Sequence, residues 1–485
     1  MRNKLLKIQV KNLEQQVIIN NQDFKLQLHI MKFIISLSII LSSLLSTVLC
    51  QPAALLASDG NLVSELSLDE CIEIGNQHNL ALQSSRLDYE IDKPALRAAY
   101  GQFLPSISVG YSIDQSSFLN RTFLNPDGSV AVLPISIDGK RRNSNYFLRA
   151  NETFYDGGRN YYNLQNAKLE SKLRYHRVNS QYYNFRAEVT RAYCQTIAAM
   201  QRVDLANEVL VQRYRLLELA SIRFKTGSVT RRDVMQAEVN LGRGRNDSLS
   251  AALELKSSKI DLNLITGREL DTTIIVKPLP PLFKPNWSVT DLISNALQTR
   301  SNLLSNITTN EMNNNDVSAL KGEYLPTLTG SISHSRTEQS GTSESFTLKP
   351  RNRSTGYGLS LSWLAFDRFT RSLRIQEAKI RHQKTSIQQF VIERQIRQQI
   401  LSTFDNIESI FQLSIVANQN TDLALETNRF EEERYRLGSA TTIDLGAAQV
   451  SYIQARNDQI RLETEFYIAL GELEKATGII LRTKY

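Results

Sequence analysis

Arg223-Phe224-Lys225-Thr226-Gly227-Ser228 and Arg434-Tyr435-Arg436-Leu437-Gly438-Ser439 are one phrase written twice. Around them a constant offset of 211 residues runs without a gap, from the pair Tyr146 and Tyr357 to the pair Gly267 and Gly478. Leu148 meets Leu359, Asp156 meets Asp367, and Ala167-Lys168 meets Ala378-Lys379. Thr230, Asp233, Ala237, Val239 and Arg245-Asn246-Asp247 recur as well. A second echo, offset by 221, pairs Gly101, Leu104 and Pro105 with Gly322, Leu325 and Pro326. The period is far longer than the roughly 20–50 residues of a solenoid repeat, so each copy is a large unit of several elements.

Working outward, Arg159 to Phe224 contains neither Gly nor Pro. That predicts a single helix on the order of 100 Å long. Gly227 is its expected stop. Thr230-Arg231-Arg232-Asp233 restarts a helix as a capping box, and this one ends near Gly267. Upstream, Ser67 and Glu70 form another capping box, opening a helix expected to run to about Tyr100 before Gly101 and Pro105. The second copy repeats the plan: an opening at Ser288 to Asp291, a long helix to about Tyr435, a break at Gly438 and a helix from Thr442 to Thr477. Each shorter helix is roughly half the length of the long one, so two can stack end to end against it. Helices of this length need a buried stripe.

Between the first two helices of each copy lie alternating segments. Ile107, Val109, Tyr111 and Ile113 alternate with Ser106, Ser108, Gly110 and Ser112. Tyr146, Leu148 and Ala150 alternate with Arg149, Asn151 and Thr153, up to Asp156-Gly157-Gly158. The second copy offers Thr327 to Ser333, and Tyr357 to Phe366 with Tyr357, Leu359, Leu361 and Trp363 on one face. Period two with one apolar side and one small or polar side fits strands with lipid outside and water inside. Tyr357 and Trp363 suit interfacial aromatic belts. Four strands cannot close a barrel, so several copies are needed if they span.

Composition narrows the classes. The net charge is +8 over 485 residues. Half of it lies in residues 1–57, where six Lys or Arg face only Glu14 and Asp23. The rest calls for no nucleic acid. Lys32 precedes an uncharged apolar run from Phe33 to Leu49, which reads as a secretory signal with Met31 as the start and cleavage between Cys50 and Ala57. A membrane anchor, or a lipid on Cys50, are the competing readings. Cys71 and Cys194 read as small apolar residues on helix faces, not a disulfide framework. The expected organisation is an N-terminal extension and signal (1–57), a first repeat (58–278), a Pro-rich linker (279–287) and a second repeat (288–485).

These features together resemble the TolC-type outer-membrane efflux protein family. The resemblance is carried by Leu104-Pro105 and Leu325-Pro326 entering strands, and by Phe154-Tyr155-Asp156-Gly157-Gly158-Arg159 leaving one. The two Arg-[Phe/Tyr]-x-x-Gly turns followed by Asp233 and Asp444 complete it. It covers about Leu66 to Gly478. The fold it implies is α+β: an internally duplicated long-helix coiled-coil barrel joined to a transmembrane β-barrel, four strands per protomer. It implies a homotrimer in outer-membrane lipid with a long periplasmic extension. The function it implies is a passive exit duct that meets a periplasmic adaptor and an inner-membrane transporter of a tripartite efflux or type I secretion system. Asp233, Asp444 and Tyr435 match pore or gate positions, and the turns at Gly227, Ser228, Gly438 and Ser439 match adaptor-docking turns. Both aspartates also stand three residues after a Thr, so helix capping explains them equally well. Ala440 and Ala447 stand where a latch arginine and a second pore aspartate are expected. Arg231 and Arg232 are candidate substitutes for that latch cation, the alternative being simply solvated arginines on an exposed tip. The second strand exit, Phe366-Asp367-Arg368, lacks the Gly pair.

No catalytic constellation emerges. His29, His78, His176, His334 and His382 make no metal spacing, and no phosphate loop or nucleophile elbow is present. Gly242-Arg243-Gly244 lies within an expected helix, where close packing explains it. Neither an enzyme, a cofactor nor a metal is expected. The competing reading is a secreted coiled-coil structural or adhesive protein without a pore.

Overall fold

The computed structural model describes residues 65–118, 122–132, 139–340 and 352–481. The expected signal and its alternatives, in residues 1–57, lie outside them. The chain opens with β1 (Glu65–Leu66), α1 (Leu68–His78), α2 (Leu80–Glu90) and α3 (Asp92–Gly101). Next come β2 (Ser106–Phe118), β3 (Thr122–Leu124), β4 (Val130–Val132) and β5 (Gly139–Tyr155). The first copy closes with α4 (Arg159–Lys225) and α5 (Arg231–Thr266). After β6 (Ile275–Val276) the second copy supplies α6 (Val289–Thr299), α7 (Ser301–Gly322), β7 (Thr327–Ser340), β8 (Asn352–Ser362), α8 (Thr370–Leu437) and α9 (Thr442–Thr477).

The long helices α4 and α8 have 67 and 68 residues. Helix α4 packs against α5, α7 and α9 as well as α1 to α3, whereas α8 packs against α6, α7 and α9. The order across the layer is therefore α2/α3–α4–α7–α8 at the sheet end and α5–α4–α9–α8 at the other. The sheet follows the same sequence, β2-β5-β7-β8, antiparallel throughout. This is a single wall with two open sides.

The expected continuous helix from Ser67 to Tyr100 is in fact three. The first break falls at Asn79, which ends α1, caps α2 by accepting from Leu82 N at 2.9 Å, and donates its amide to the Ile265 carbonyl at 2.8 Å, and the second falls at Ile91. Gly267 lies so close to the His78 carbonyl that a Cβ there has no room. The second copy breaks at the matching residue, Arg300, whose guanidinium donates to the Ala476 carbonyl at 2.9 Å. In each copy a helix junction is thus tied to the C-terminus of the last helix.

That junction organises the core. Cys71, Leu82, Phe185, Val189, Tyr193, Ile197 and Leu262 form one buried cluster under the β1–β6 pair. A larger cluster joins Cys194 to α6, α7, α8 and α9, with Ile396, Ile400, Phe466 and Leu470 fully enclosed. Cys71 and Cys194 are both buried, and burial pushes the Cys71 thiol up to about 12. Gly244 does pack closely, 2.9 Å separating a would-be Cβ from the Arg213 side chain, but Gly242 faces open space.

The strands are longer than the alternating segments alone indicate. The segment expected to run to Phe366 ends earlier, with β8 stopping at Ser362. The turn-rich loop holds the hairpin β3–β4, closed by Asn125 to Ser129 with Gly128 at φ 81°. At the strand exit Gly157 and Gly158 adopt φ 74° and 87°, and Gly157 lies against the Gly322 backbone. The second copy makes the same left-handed turn without glycine, at Arg368 (φ 58°) and Phe369 (φ 66°). Arg371, almost fully buried, secures it with bonds to Asp367, Glu323 O and Leu364 O at 2.6–2.9 Å. Gly157→Ala combines a left-handed residue with a backbone clash and should lower stability by about 3 kcal/mol. Gly101→Ala, in open space, should change it by less than about 1 kcal/mol. Urea midpoints in detergent check both.

Candidate functional site: the helical tip

At the end of the wall remote from the sheet, both long helices stop in the same way. Ser228 N donates to Arg223 O at 2.9 Å and Gly227 N to Phe224 O at 3.0 Å, with Gly227 at φ 79°. Ser439 N donates to Arg434 O at 2.9 Å and Gly438 N to Tyr435 O at 3.1 Å, with Gly438 at φ 85°. This pair of bonds satisfies carbonyls that the helix end leaves open, and Gly supplies the left-handed residue. Gly227, Ser228, Gly438 and Ser439 are all exposed. Leu437 and Ile443 beside the second turn are 77% and 79% exposed, so that turn presents apolar surface.

Both aspartates cap. Asp233 accepts from Thr230 N at 2.9 Å and from the Thr230 hydroxyl at 2.8 Å. Asp444 accepts from Thr441 N at 3.0 Å and the Thr441 hydroxyl at 2.7 Å, while Asp444 N donates back to Thr441 Oγ1 at 3.2 Å. The threonine hydroxyl first, and the backbone N–H second, hold each carboxyl below its ordinary value. Arg232 adds to this at Asp233, and Arg434 at Asp444.

The two turns meet through Arg223. Its guanidinium stacks over the Tyr435 ring at 5.1 Å and donates to the Arg436 carbonyl at 2.7 Å. Tyr435 is 5% exposed, in a cleft shared with Asp233, Leu216, Thr442 and Leu445. Burial pushes its hydroxyl up, with Arg223 opposing and Asp233 assisting. Arg434, the counterpart of Arg223, instead folds back onto Glu431 at 2.9 Å and Ser439 O at 3.0 Å. The structure thus brings Asp233 and Tyr435 together, and places Asp444 on the exposed start of α9. Arg231 and Arg232 are exposed on α5, and it is Arg223 that reaches Tyr435. The repeated Arg was visible in the sequence; its different partner in each copy was not.

At the other end, Ile107, Val109, Tyr111, Ile113, Tyr357, Leu359 and Leu361 are exposed on one face of the sheet. Cross-strand register sets Val109 beside Leu148, Tyr111 beside Tyr146, and Ile332 beside Tyr357. Trp363 lies just beyond β8, its indole donating to Tyr324 O at 3.0 Å. The opposite face is lined by Ser106, Ser108, Ser331, Ser333, Gly358 and Ser360. Among the described residues no helix is long and apolar enough to cross a membrane, and no cluster of metal ligands occurs.

A duplicated wall of this kind, apolar-faced strands at one end and capped turns at the other, matches the family model for outer membrane efflux proteins over residues 73–268 and 292–479. The chain belongs to the outer membrane efflux protein family. Solved structures agree in fold. The outer-membrane channel OprN shares 16% identity at a TM-score of 0.69, over 85% of this chain and 89% of that one. The outer membrane protein VceC of Vibrio cholerae shares 16% at 0.68, over 85% and 96%. The Campylobacter jejuni CmeC outer membrane channel shares 15% at 0.69, over 85% of each. A comparison with curated protein sequences finds no significant match. The family is one of outer-membrane efflux channels, not of enzymes.

The caps of this efflux protein make its tip acid-sensitive in a defined direction. A carboxyl held low in the folded state contributes stability above its ordinary value, 3.8 for aspartate, and loses it as pH falls through the folded value. Amide exchange at Thr230–Asp233 and Thr441–Asp444 should therefore be unchanged between neutral pH and about 5, and accelerate only below 3.8 after correction for intrinsic rates.

Proposed function

We propose that this protein is the passive outer-membrane exit duct of a tripartite efflux or type I secretion assembly, and that it works as a homotrimer. The observation that carries this is the sheet. Its apolar face is exposed, its other face is Ser-, Thr- and Gly-rich, and β2 and β8 are unpaired at its edges. Edges cannot stay open in lipid, so β8 of one copy pairs with β2 of the next, and three copies give a twelve-stranded barrel. Lipid then bears on Ile107, Val109, Tyr111, Ile113, Tyr357, Leu359 and Leu361, with Trp363 at the interface.

The helices support the same closure. On α8, Val416, Leu423, Phe430 and Leu437 recur every seventh residue and are all exposed. On the opposite side of the wall α5 exposes Met235, Leu249, Leu253 and Ile260, and α2 exposes Leu80 and Leu87. Such seams are what a coiled-coil partner covers. Three walls then form a hollow periplasmic cylinder whose narrow end is ringed by the tips. Energy comes from the inner-membrane transporter, and the turns at Gly227-Ser228 and Gly438-Ser439, with Leu437 and Ile443, form the surface that meets the periplasmic adaptor. The family match supports a duct over a pore-less structural or adhesive protein.

In this reading Asp444 places a carboxylate ring at the constriction, where it concentrates cations. Asp444→Asn keeps a cap acceptor and removes the charge. In planar bilayers it should weaken block by multivalent cations about tenfold or more, while Arg223→Ala, which frees the Tyr435 contact, should raise open probability and leave that block intact. Unchanged block in Asp444→Asn would remove Asp444 from the pore.

A further inference from the structure

The apolar face of the sheet carries a carboxylate that nothing in the duct explains. Glu152 of β5 is level with Gly330 of β7 and Leu359 of β8. Its Oε2 is shut off from solvent and takes no hydrogen bond. The Glu152 side chain lines a groove of about 380 Å³ bounded by Pro105, Ala150, Phe154, Ile332 and Tyr357. The groove exists because Gly330 has no side chain; the Phe154 ring overhangs it, 2.6 Å from where a Cβ would stand. A dry carboxylate oxygen in an apolar lining is costly without a cationic or hydrogen-bonding partner.

Among the described residues these strands supply no such partner. Arg336 and Arg353 on this face are level with each other and with Tyr146, six residues from Glu152, about 20 Å at 3.4 Å per residue. His334 is nearer, level with Leu148, but its Nδ1 lies 2.8 Å from the Thr355 hydroxyl. Depth narrows the occupant further. Glu152 is three residues from the end of β5 at Tyr155, about 10 Å. Phe154, Trp363 and Phe366, all more than 60% exposed, gather at that end as an interfacial belt would. The carboxylate therefore lies near headgroup depth of the leaflet on the helical side, and Ala150, Ile332 and Tyr357 continue the groove toward the acyl region.

We propose that this groove binds a phospholipid with a primary-amine headgroup, phosphatidylethanolamine. Its ammonium donates to the Glu152 carboxylate where that side chain borders the groove, and one acyl chain lies over Gly330 between Phe154 and the Ile332–Tyr357 pair. The amine matters because an ammonium brings three N–H donors. A quaternary choline brings the positive charge with no such donor, and a glycerol headgroup brings no positive charge. The proposal rests on the reading of the sheet as membrane-spanning.

The test is native mass spectrometry of the full chain released from nanodiscs containing equal parts phosphatidylethanolamine, phosphatidylcholine and phosphatidylglycerol, with conductance measured on the same preparation. The wild type should retain phosphatidylethanolamine about tenfold over either competitor, and Glu152→Gln should abolish that preference at unchanged conductance. Phe154→Ala should lower retention of all three lipids by removing the wall of the groove. Normal conductance with indiscriminate retention, or a preference that survives Glu152→Gln, overturns the lipid site alone. Absence of insertion and conductance overturns the duct and the site together.

Discussion

Two unpaired strand edges govern this molecule. The outer N–H and C=O groups of β2 and β8 have no partner within the sheet, and in hydrocarbon each such group costs several kcal/mol. The helical part of the wall is open on the same two sides, with heptad-spaced apolar residues along α8 facing one way and those of α2 and α5 the other. In the proposed duct, strand edges and helix seams take the same partner in the same order, another copy joined head to tail. A heterologous contact of that kind makes a closed ring if its rotation closes. Strands and helices must turn together for that, and the backbone contact of Gly157 with Gly322 ties the end of one copy's strands to the start of the other's.

The duplication supplies the plan, and departures from it supply the differences between neighbouring sectors. Where the first copy turns on two glycines, the second forces Arg368 and Phe369 into the left-handed region. Non-glycine residues persist there only when their surroundings hold them. Arg371 does so through three backbone and side-chain acceptors, while its counterpart Asn160 reaches Asp156 with its backbone N–H alone and the Gln102 carbonyl with its amide. At the tip the asymmetry runs the other way: Arg223 crosses to the second copy and Arg434 stays on its own turn. The wall is quasi-symmetric in backbone and asymmetric in the side chains that tie it.

What was legible in the sequence was what is local. The capping boxes at Ser67, Thr230 and Thr441, the glycine stops and the alternation around Tyr111 and Leu359 involve residues within a few positions of one another. The helix break at Asn79 was only half legible: its cap on Leu82 N is local, but the Ile265 carbonyl that holds the Asn79 amide is 186 positions away. Arg300, which marks the equivalent break, looks like any helix-surface arginine until the Ala476 carbonyl is placed beside it. Arg223 was visible as part of a repeated phrase, yet its contact with Arg436 spans 213 positions. Glu152 was passed over for a similar reason: a single acid in a strand is unremarked until the register puts Gly330 next to it.

The tip shows why a structural and a functional reading of one residue need not compete. Capping explains Asp444 fully at the level of backbone chemistry: one carboxylate oxygen satisfies Thr441 N and the Thr441 hydroxyl at a helix N-terminus. Those bonds favour the ionised form, so the cap keeps the negative charge further into acid than an uncapped aspartate would. They remove side-chain freedom as well, so the charge stays at the exposed start of α9. A gate built from an unrestrained aspartate would have to spend free energy placing its charge at the constriction. In the proposed duct, a gate built from a cap has its charge placed by folding, so the helix start serves both purposes with the same atoms.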